Sequence, residues 1–300
     1  MLTYTGSRNL YGDFTQNDNS THLTLGDVYI NEAIRRIFNS FNWDFLEGLA
    51  TEATVASQEN YALPADYKRM IGTPFITVSS RKITMQEAPT RKFFDDLSAT
   101  ATTGTIPIYF IIYDGEIRIY PIPSGINTMT YLYEKRHIDL NIADATNMRV
   151  TDLANGATTA TVDTLAATND MVGRYLQITR ITASGGGDGL WYRIASRTSD
   201  TAIVLSREYQ GTTLSSATAA TVLGQVSLLP EAYQILPIYK AAEEYYVTKG
   251  NFGRADRYKN KYDELLAEMK QNHSFKTTNP VIEDISDFHH HNSNLFIEAS

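Results

Sequence analysis

The feature that most constrains the fold is a change of pattern in the middle of the chain. From residue 141 to residue 224 there is no lysine, and threonine, alanine and glycine are abundant. Short apolar runs bounded by turn residues in this stretch have the length and spacing of strands in a small all-β unit. Helical patterning resumes after Pro230. We therefore predict an inserted sandwich or barrel over residues 147–226, with strands at 160–162, 175–178, 190–194, 202–205 and 220–222.

The segments on either side of the insertion have the spacing of amphipathic helices. Asp27 is placed to cap the helix that precedes the insertion, and Pro237 is expected to kink the first of the two helices that follow it. The two helices after the insertion are joined near Gly250, which predicts an αα-hairpin. The predicted core is therefore discontinuous, formed by residues 26–146 and 227–272. Its apolar positions are Ile30, Ala33, Ile34, Ile37 and Phe41, then Ala232, Ile235, Leu236, Tyr239, Ala242 and Tyr246, then Ala255, Tyr258, Tyr262, Leu265 and Met269.

A β-hairpin is predicted around Asp114-Gly115. Two apolar runs, 108–113 and 116–120, flank this dipeptide, which favours the positive φ angles of a tight hairpin turn. A third strand over 129–136 follows and would complete a meander. The expected fold class is α+β: a helical-bundle core with a small antiparallel β meander, the inserted all-β domain, and extended terminal arms.

Both terminal segments are predicted to be arms that contact other molecules. Residues 1–25 alternate polar and aromatic positions without a helical stripe, and Tyr4, Tyr11 and Phe14 are the candidate contacts with a neighbouring subunit. Residues 273–300 carry scattered apolar residues in a polar background. Such a segment cannot form its own core and is typical of a strap that binds a partner.

Composition argues against several classes of protein. The net charge is −8, and no segment forms the basic stripe that drives binding to nucleic acid phosphates. DNA could pass a mildly negative surface without adhering to it. The chain has no cysteine, which fits synthesis in a reducing cytoplasm. No apolar run approaches the length of a membrane span, and the first residues do not resemble a signal peptide.

No catalytic, cofactor or metal site is predicted. The nucleophile-elbow, P-loop, Rossmann and zincin motifs are all absent from the sequence. The run 185–189 (GGGDG) occurs once and is interpreted as a hairpin loop. The run 289–291 (HHH) is interpreted as a solvated part of the tail, with metal binding between subunits as the alternative.

One short stretch carries a family resemblance. The run 61–67 (YALPADY) resembles the Tyr-x-Leu-Pro-x-Asp signature of head-to-tail connector (adaptor) proteins of tailed bacteriophages, of the tail tubular protein A type. The helix containing 31–37 (NEAIRRI), the strand-turn-strand ending at 120–123 (YPIP) and two C-terminal helices occur in a similar order. The resemblance implies that Tyr61, Leu63, Pro64 and Asp66 form a structural junction between helices and sheet.

The resemblance also implies the partners. Such adaptors form a ring, commonly of twelve copies, between the portal protein and a downstream tail or nozzle protein in the virion, and genomic DNA passes through the lumen. The C-terminal tail would then run to the portal. Its candidate portal-binding residues are Phe275, Phe288, Leu295, Phe296 and Ile297.

A second hypothesis assigns binding to the insertion. Trp191, Tyr192, Tyr175 and Tyr209 could stack on sugar rings, which would make the chain a tail-associated carbohydrate- or receptor-binding protein. Trp191 lies in an alternating strand, so packing in the core is the competing interpretation of that residue.

Overall fold

The computed structural model describes residues 1–99, 102–179 and 187–273. This part of the chain forms an α+β structure with five α-helices and sixteen strands. The helices are Tyr4–Thr15 (α1), Ser20–Ser40 (α2), Arg91–Ser98 (α3), Leu236–Thr248 (α4) and Phe252–His273 (α5). The strands are Glu47–Ala53 (β1), Asn60–Ala62 (β2), Tyr67–Val78 (β3), Arg81–Thr84 (β4), Gln86–Glu87 (β5), Thr103–Gly104 (β6), Tyr109–Tyr113 (β7), Glu116–Tyr120 (β8), Ile122–Pro123 (β9), Thr128–Lys135 (β10), Arg149–Leu153 (β11), Thr159–Asp163 (β12), Tyr175–Ile178 (β13), Trp191–Ser199 (β14), Ala202–Leu205 (β15) and Leu214–Gly224 (β16).

Four helices, α1, α2, α4 and α5, form a bundle, which adds α1 to the three helices that were predicted. Helix α2 contacts α1 and α4, and α4 pairs with α5 as the expected αα-hairpin. Ile30, Ile34 and Ile37 of α2 are buried against α4, which confirms this part of the helical stripe. Phe41 follows the end of α2 and is partly exposed, so its predicted place in the stripe is wrong. Trp43 closes the core beyond α2, and its indole N–H donates to Ile37 O at 2.8 Å.

The N-terminal segment is helical, so the prediction of an extended arm over residues 1–25 is wrong. Thr3 caps α1 by accepting a hydrogen bond from Gly6 N at 3.1 Å. Asn19 caps α2 by accepting from Thr21 N at 2.9 Å, so Asp27 lies inside that helix and is not its N-cap. A Cβ on Gly26 would lie 2.4 Å from the ring of Tyr11, so the glycine permits the close contact of the two helices.

Pro237 begins a helix instead of kinking one. A 3-10 turn at Glu231–Tyr233 precedes α4, and Pro237 lies in the first turn of α4. The first backbone N–H groups of a helix have no partner within it, so proline is tolerated there without loss of a hydrogen bond. The predicted kink is therefore wrong, because Pro237 lies at the start of α4 and not in its interior.

Two four-stranded sheets form the second part of the core. Their strand orders are β1-β10-β3-β4 and β2-β8-β7-β5. The hairpin β7–β8 turns at Asp114 and Gly115, with φ angles of 54° and 76°, as predicted. Strand β10 pairs with β1 and β3 and not with β8, so the predicted meander is wrong. Met129 and Tyr131 of β10 pack with Ile117 of β8 in an apolar layer that joins the two sheets.

The insertion is a closed barrel. Its strands follow the order β11-β12-β15-β14-β13-β16, and neighbouring strands pair antiparallel. The five predicted strands are present, and β11 is a sixth that the pattern did not indicate. The barrel has a separate apolar interior that includes Val150, Leu176, Ile203 and Leu223.

A small set of polar contacts attaches the barrel to residues 139–143, the segment that precedes it. The side chain of Gln225 accepts from Asn141 N and Ile142 N at 2.8 and 2.9 Å, and donates to Asp139 O at 2.9 Å. The buried guanidinium of Arg174 donates to Ala143 O at 3.2 Å and Leu223 O at 3.1 Å. Gln225 therefore links the segment that leaves the barrel to residues 139–142, the segment that enters it.

Candidate interaction surfaces

Tyr61 of the signature is a structural anchor within its own chain. Its side chain is buried, and its hydroxyl donates to Gln58 O at 3.0 Å and accepts from Val55 N at 3.0 Å. Burial raises the pKa of Tyr61, so the hydroxyl stays protonated and able to donate. These bonds close the loop between β1 and β2.

The Leu63–Asp66 part of the signature connects the two sheets. Leu63 N donates to Gly115 O at 3.0 Å on one side. On the other side the hydroxyl of Tyr133 donates to Asp66 Oδ1 at 2.8 Å, and Arg136 N donates to Asp66 O at 2.6 Å. Burial and the Asp66 carboxylate both raise the pKa of Tyr133. The turn at Pro64 therefore lies between two sheets, whereas the resemblance implied a junction between helices and sheet.

Asn31, in the helical segment that also carries the resemblance, has a role that its sequence position did not reveal. The side chain is 8% exposed. Its Nδ2 donates to Leu140 O at 3.0 Å, and its Oδ1 accepts from Leu140 N at 2.8 Å. The side-chain amide of Asn31 thus makes a donor and an acceptor hydrogen bond with the backbone of Leu140, as a residue of a neighbouring strand would. Helix α2 is fixed in this way to the chain just before the barrel.

The three aromatic residues predicted to contact a neighbouring subunit lie on α1. Tyr11 is fully buried in the helical core, where its ring stacks on His22 at 4.9 Å between centroids. Phe14 stacks on Tyr239 at 5.6 Å, and Tyr4 is half-buried in the same core. Their contacts in this structure are with their own chain, and the predicted subunit contact stays a prediction. The candidate portal-binding residues Phe275, Phe288, Leu295, Phe296 and Ile297, and His289–His291, lie outside the described residues.

An exposed apolar row crosses the first sheet. The register places Leu49 of β1 opposite Leu132 of β10, and Leu132 opposite Ile71 of β3. Leu49 is 66% exposed and Leu132 is 43% exposed. Among the described strands, β1 pairs with β10 alone and so leaves one edge unpaired. The row is not recognisable in the sequence, because its members are far apart in the chain and only the sheet register brings them together.

The four aromatic residues of the second hypothesis divide into two pairs. Tyr192 and Tyr209 are fully buried in the barrel interior, so they are not available to stack on a sugar. Burial, together with a hydrogen bond to Asp188, raises the pKa of Tyr192 to about 12. Tyr175 and Trp191 are half-buried and line an open cavity of about 560 Å³ beside Arg207.

No cluster of three or more metal-ligating side chains occurs among residues 1–99, 102–179 and 187–273. Within the same residues, no helix has the length and hydrophobicity needed to cross a membrane.

Comparison with known proteins identifies the family. The family model described as SU10 adaptor protein matches residues 5–155. The chain belongs to the SU10 adaptor protein family. This is a phage head-tail adaptor family with a structural role, so membership implies a virion component that contacts portal and tail proteins. The SU10 adaptor match covers α1, α2, both sheets and β11, and therefore includes the signature and Asn31. None of the curated proteins compared with the chain matches it.

Proposed function

We propose that this adaptor forms a ring of twelve copies between the portal and the downstream tail or nozzle protein, with genomic DNA passing through the lumen. The observation that carries the proposal is the family match over residues 5–155, which spans the signature turn and the elements it connects. The net charge of −8 suits a conduit, because a mildly negative wall repels the DNA phosphates.

The exposed apolar row is the place where we expect a second copy to bind. Leu49, Leu132 and Ile71 form a continuous strip beside the unpaired edge of β1. When a partner covers apolar surface of this kind and removes it from water, the complex is stabilised. The double variant Leu49→Lys/Leu132→Lys is expected to prevent ring formation. Ile126→Lys is the matched control, because Ile126 is 80% exposed and lies outside the strip.

The C-terminal tail is proposed to reach the portal through Phe275, Phe288, Leu295, Phe296 and Ile297. Apolar residues spaced along a polar segment can each enter a separate pocket of a large partner. Deleting residues 274–300 is expected to weaken portal binding and to leave the fold of the described residues intact. Unchanged portal affinity after this deletion would contradict the assignment.

The decisive experiment is electron microscopy of the protein mixed with its cognate portal, with the protein alone as control. A ring stacked on the portal, with twelve copies counted in projection, is the expected result. A monomer that stays free of the portal would refute the adaptor geometry proposed here.

Carbohydrate binding in the cavity beside Trp191 is a second candidate function. Tyr175, Trp191 and Arg207 offer the aromatic and polar groups that sugar sites use. Binding on a glycan array that is lost in Trp191→Ala, with the barrel still folded, would support it. The matched control is Tyr113→Ala, because Tyr113 is an exposed aromatic residue outside the barrel.

A further inference from the structure

Two adjoining cavities form a groove along the end of α2. The larger has a volume of about 580 Å³ and the smaller about 200 Å³. They share Phe38, Asn39 and Lys68 in their walls, so they are parts of one surface depression. We call this depression the α2 groove.

The α2 groove is basic in a chain that is acidic overall. Its walls hold five arginine or lysine side chains and one carboxylate, Glu134; the five cations are Arg35, Lys68, Arg69, Lys135 and Arg136. Lys68 and Arg69 both hydrogen-bond to Glu134, which is buried. Arg35 pairs with Asp139.

Two of these cations carry charge that the described residues do not neutralise. Lys135 and Arg136 have no ion pair in the part of the chain that the structure describes. Arg136 Nε instead donates to Ala65 O at 3.0 Å, which holds the guanidinium at the groove. A partner with carboxylates close together would complement this pair.

The end of α5 lies near the same groove. His273 is the last residue of α5, and its Nδ1 lies 3.0 Å from Asp44 Oδ1. Its ring also meets the ring of Phe45 edge-on, with 5.6 Å between centroids. Asn42, two positions before Asp44, lines the larger cavity. The chain beyond His273 therefore starts close to the α2 groove.

That part of the chain contains an acidic segment of suitable length and position. Residues 281–288 read VIEDISDF, with three carboxylates and no cation. The seven residues 274–280 separate it from α5, and seven residues span at most about 25 Å when extended. Val281, Ile285 and Phe288 add apolar groups, and the groove offers the rings of Phe38 and Phe41.

We propose that residues 281–288 dock in the α2 groove of the same chain, with Glu283, Asp284 and Asp287 facing Lys135, Arg136 and their basic neighbours. Charge complementarity and the short connection to His273 favour this occupant over a separate molecule. Docking would hold Phe288 away from other partners until a competing surface displaces the segment. The inference does not depend on the portal, since its test uses the isolated full chain.

Cysteine cross-linking tests the proposal cleanly because the chain has no cysteine. Ser286→Cys is combined with Ser40→Cys, since Ser40 is exposed and lines the larger cavity. Oxidised glutathione is added to dilute protein, and the intramolecular disulfide is followed by mass spectrometry. Neutralising the segment with Glu283→Gln, Asp284→Asn and Asp287→Asn is expected to slow cross-linking about tenfold. Raising the salt to about 1 M, where screening acts within about 3 Å, is expected to slow it similarly.

The groove side is tested with Lys135→Glu/Arg136→Glu against Arg81→Glu/Lys82→Glu, an equal charge reversal on the exposed edge strand β4. Only the first pair is expected to slow cross-linking. Equal rates with the native and the neutralised segment, or cross-links only between two chains, would overturn the proposal. A labelled DNA duplex that binds the native protein and loses affinity in the groove variant, without any cross-link, would assign the groove to nucleic acid instead.

Discussion

Replacing Asn31 by alanine tests whether one side-chain amide fixes α2 to the chain before the barrel. The amide makes two hydrogen bonds with Leu140 and a third with Asp27 O, at 3.0, 2.8 and 3.0 Å. Alanine leaves the N–H and C=O of Leu140 without these partners in a buried position. An unsatisfied buried polar group costs about 1–3 kcal/mol, so we expect a loss of about 2–4 kcal/mol in the free energy of unfolding.

Asn39→Ala is the matched control on the same helix. Asn39 is exposed, and its side chain accepts one hydrogen bond, from Lys68 Nζ at 3.1 Å. Both substitutions gain the same small helix-propensity advantage of alanine over asparagine, which cancels in the comparison. The control is expected to change the free energy of unfolding by less than about 0.5 kcal/mol.

Urea unfolding followed by tryptophan fluorescence measures the difference. The chain has two tryptophans, so a Trp191→Phe background leaves Trp43, buried in the helical core, as the reporter. With a slope of about 3 kcal/mol per molar urea, the midpoint is expected to fall by about 1 M for Asn31→Ala. Hydrogen exchange at the Leu140 amide should accelerate as well. Equal midpoints for Asn31→Ala and Asn39→Ala would refute the reasoning.

Packing and charge predict the effects of four further substitutions. Gly26→Ala places a Cβ 2.4 Å from the buried ring of Tyr11 and should destabilise by about 1–3 kcal/mol, although alanine normally favours a helix. Gly253→Ala in α5 meets nothing within 4 Å and should be neutral or stabilising, which thermal unfolding can check. Tyr61→Phe removes the hydroxyl that closes the β1–β2 loop and should cost about 1–2 kcal/mol in urea unfolding. Burial lowers the pKa of His137 from 6.5 to about 4, so the unfolded chain binds this proton first on acidification. Stability should therefore fall between about pH 6.5 and about pH 4, by about 1.4 kcal/mol per pH unit, and His137→Gln should flatten that slope.

The elements that sequence patterns predicted correctly are those set by local chemistry. Asp114-Gly115 specifies a tight turn by itself, so the β7–β8 hairpin required no knowledge of the rest of the chain. The spacing of Ile30, Ile34 and Ile37 identified the buried face of α2 in the same way. The barrel strands were visible because turn residues separate short apolar runs.

The elements that were missed depend on contacts between distant residues. Helix α1 has no continuous apolar stripe, and Tyr11 is buried because α2 and α4 surround it. Strand β10 follows the hairpin in sequence, but the apolar layer between the sheets is formed when it pairs with β1 and β3. Such pairings are set by tertiary packing, which outweighs the tendency of consecutive strands to be neighbours.

The signature turn also determines where the basic residues of the α2 groove meet. Four of the groove's five cations come from two dibasic pairs far apart in the chain, Lys68-Arg69 and Lys135-Arg136, and the fifth is Arg35 of α2. The β3–β10 register places Glu134 opposite Arg69, and the bonds of Tyr133 and Arg136 to Asp66 hold the end of that ladder. Because Pro64 and Asp66 fix where β3 begins, they also fix where the two dibasic pairs meet. A slip of one residue would move Arg69 out of its position opposite Glu134, so the signature turn and the basic groove depend on the same register.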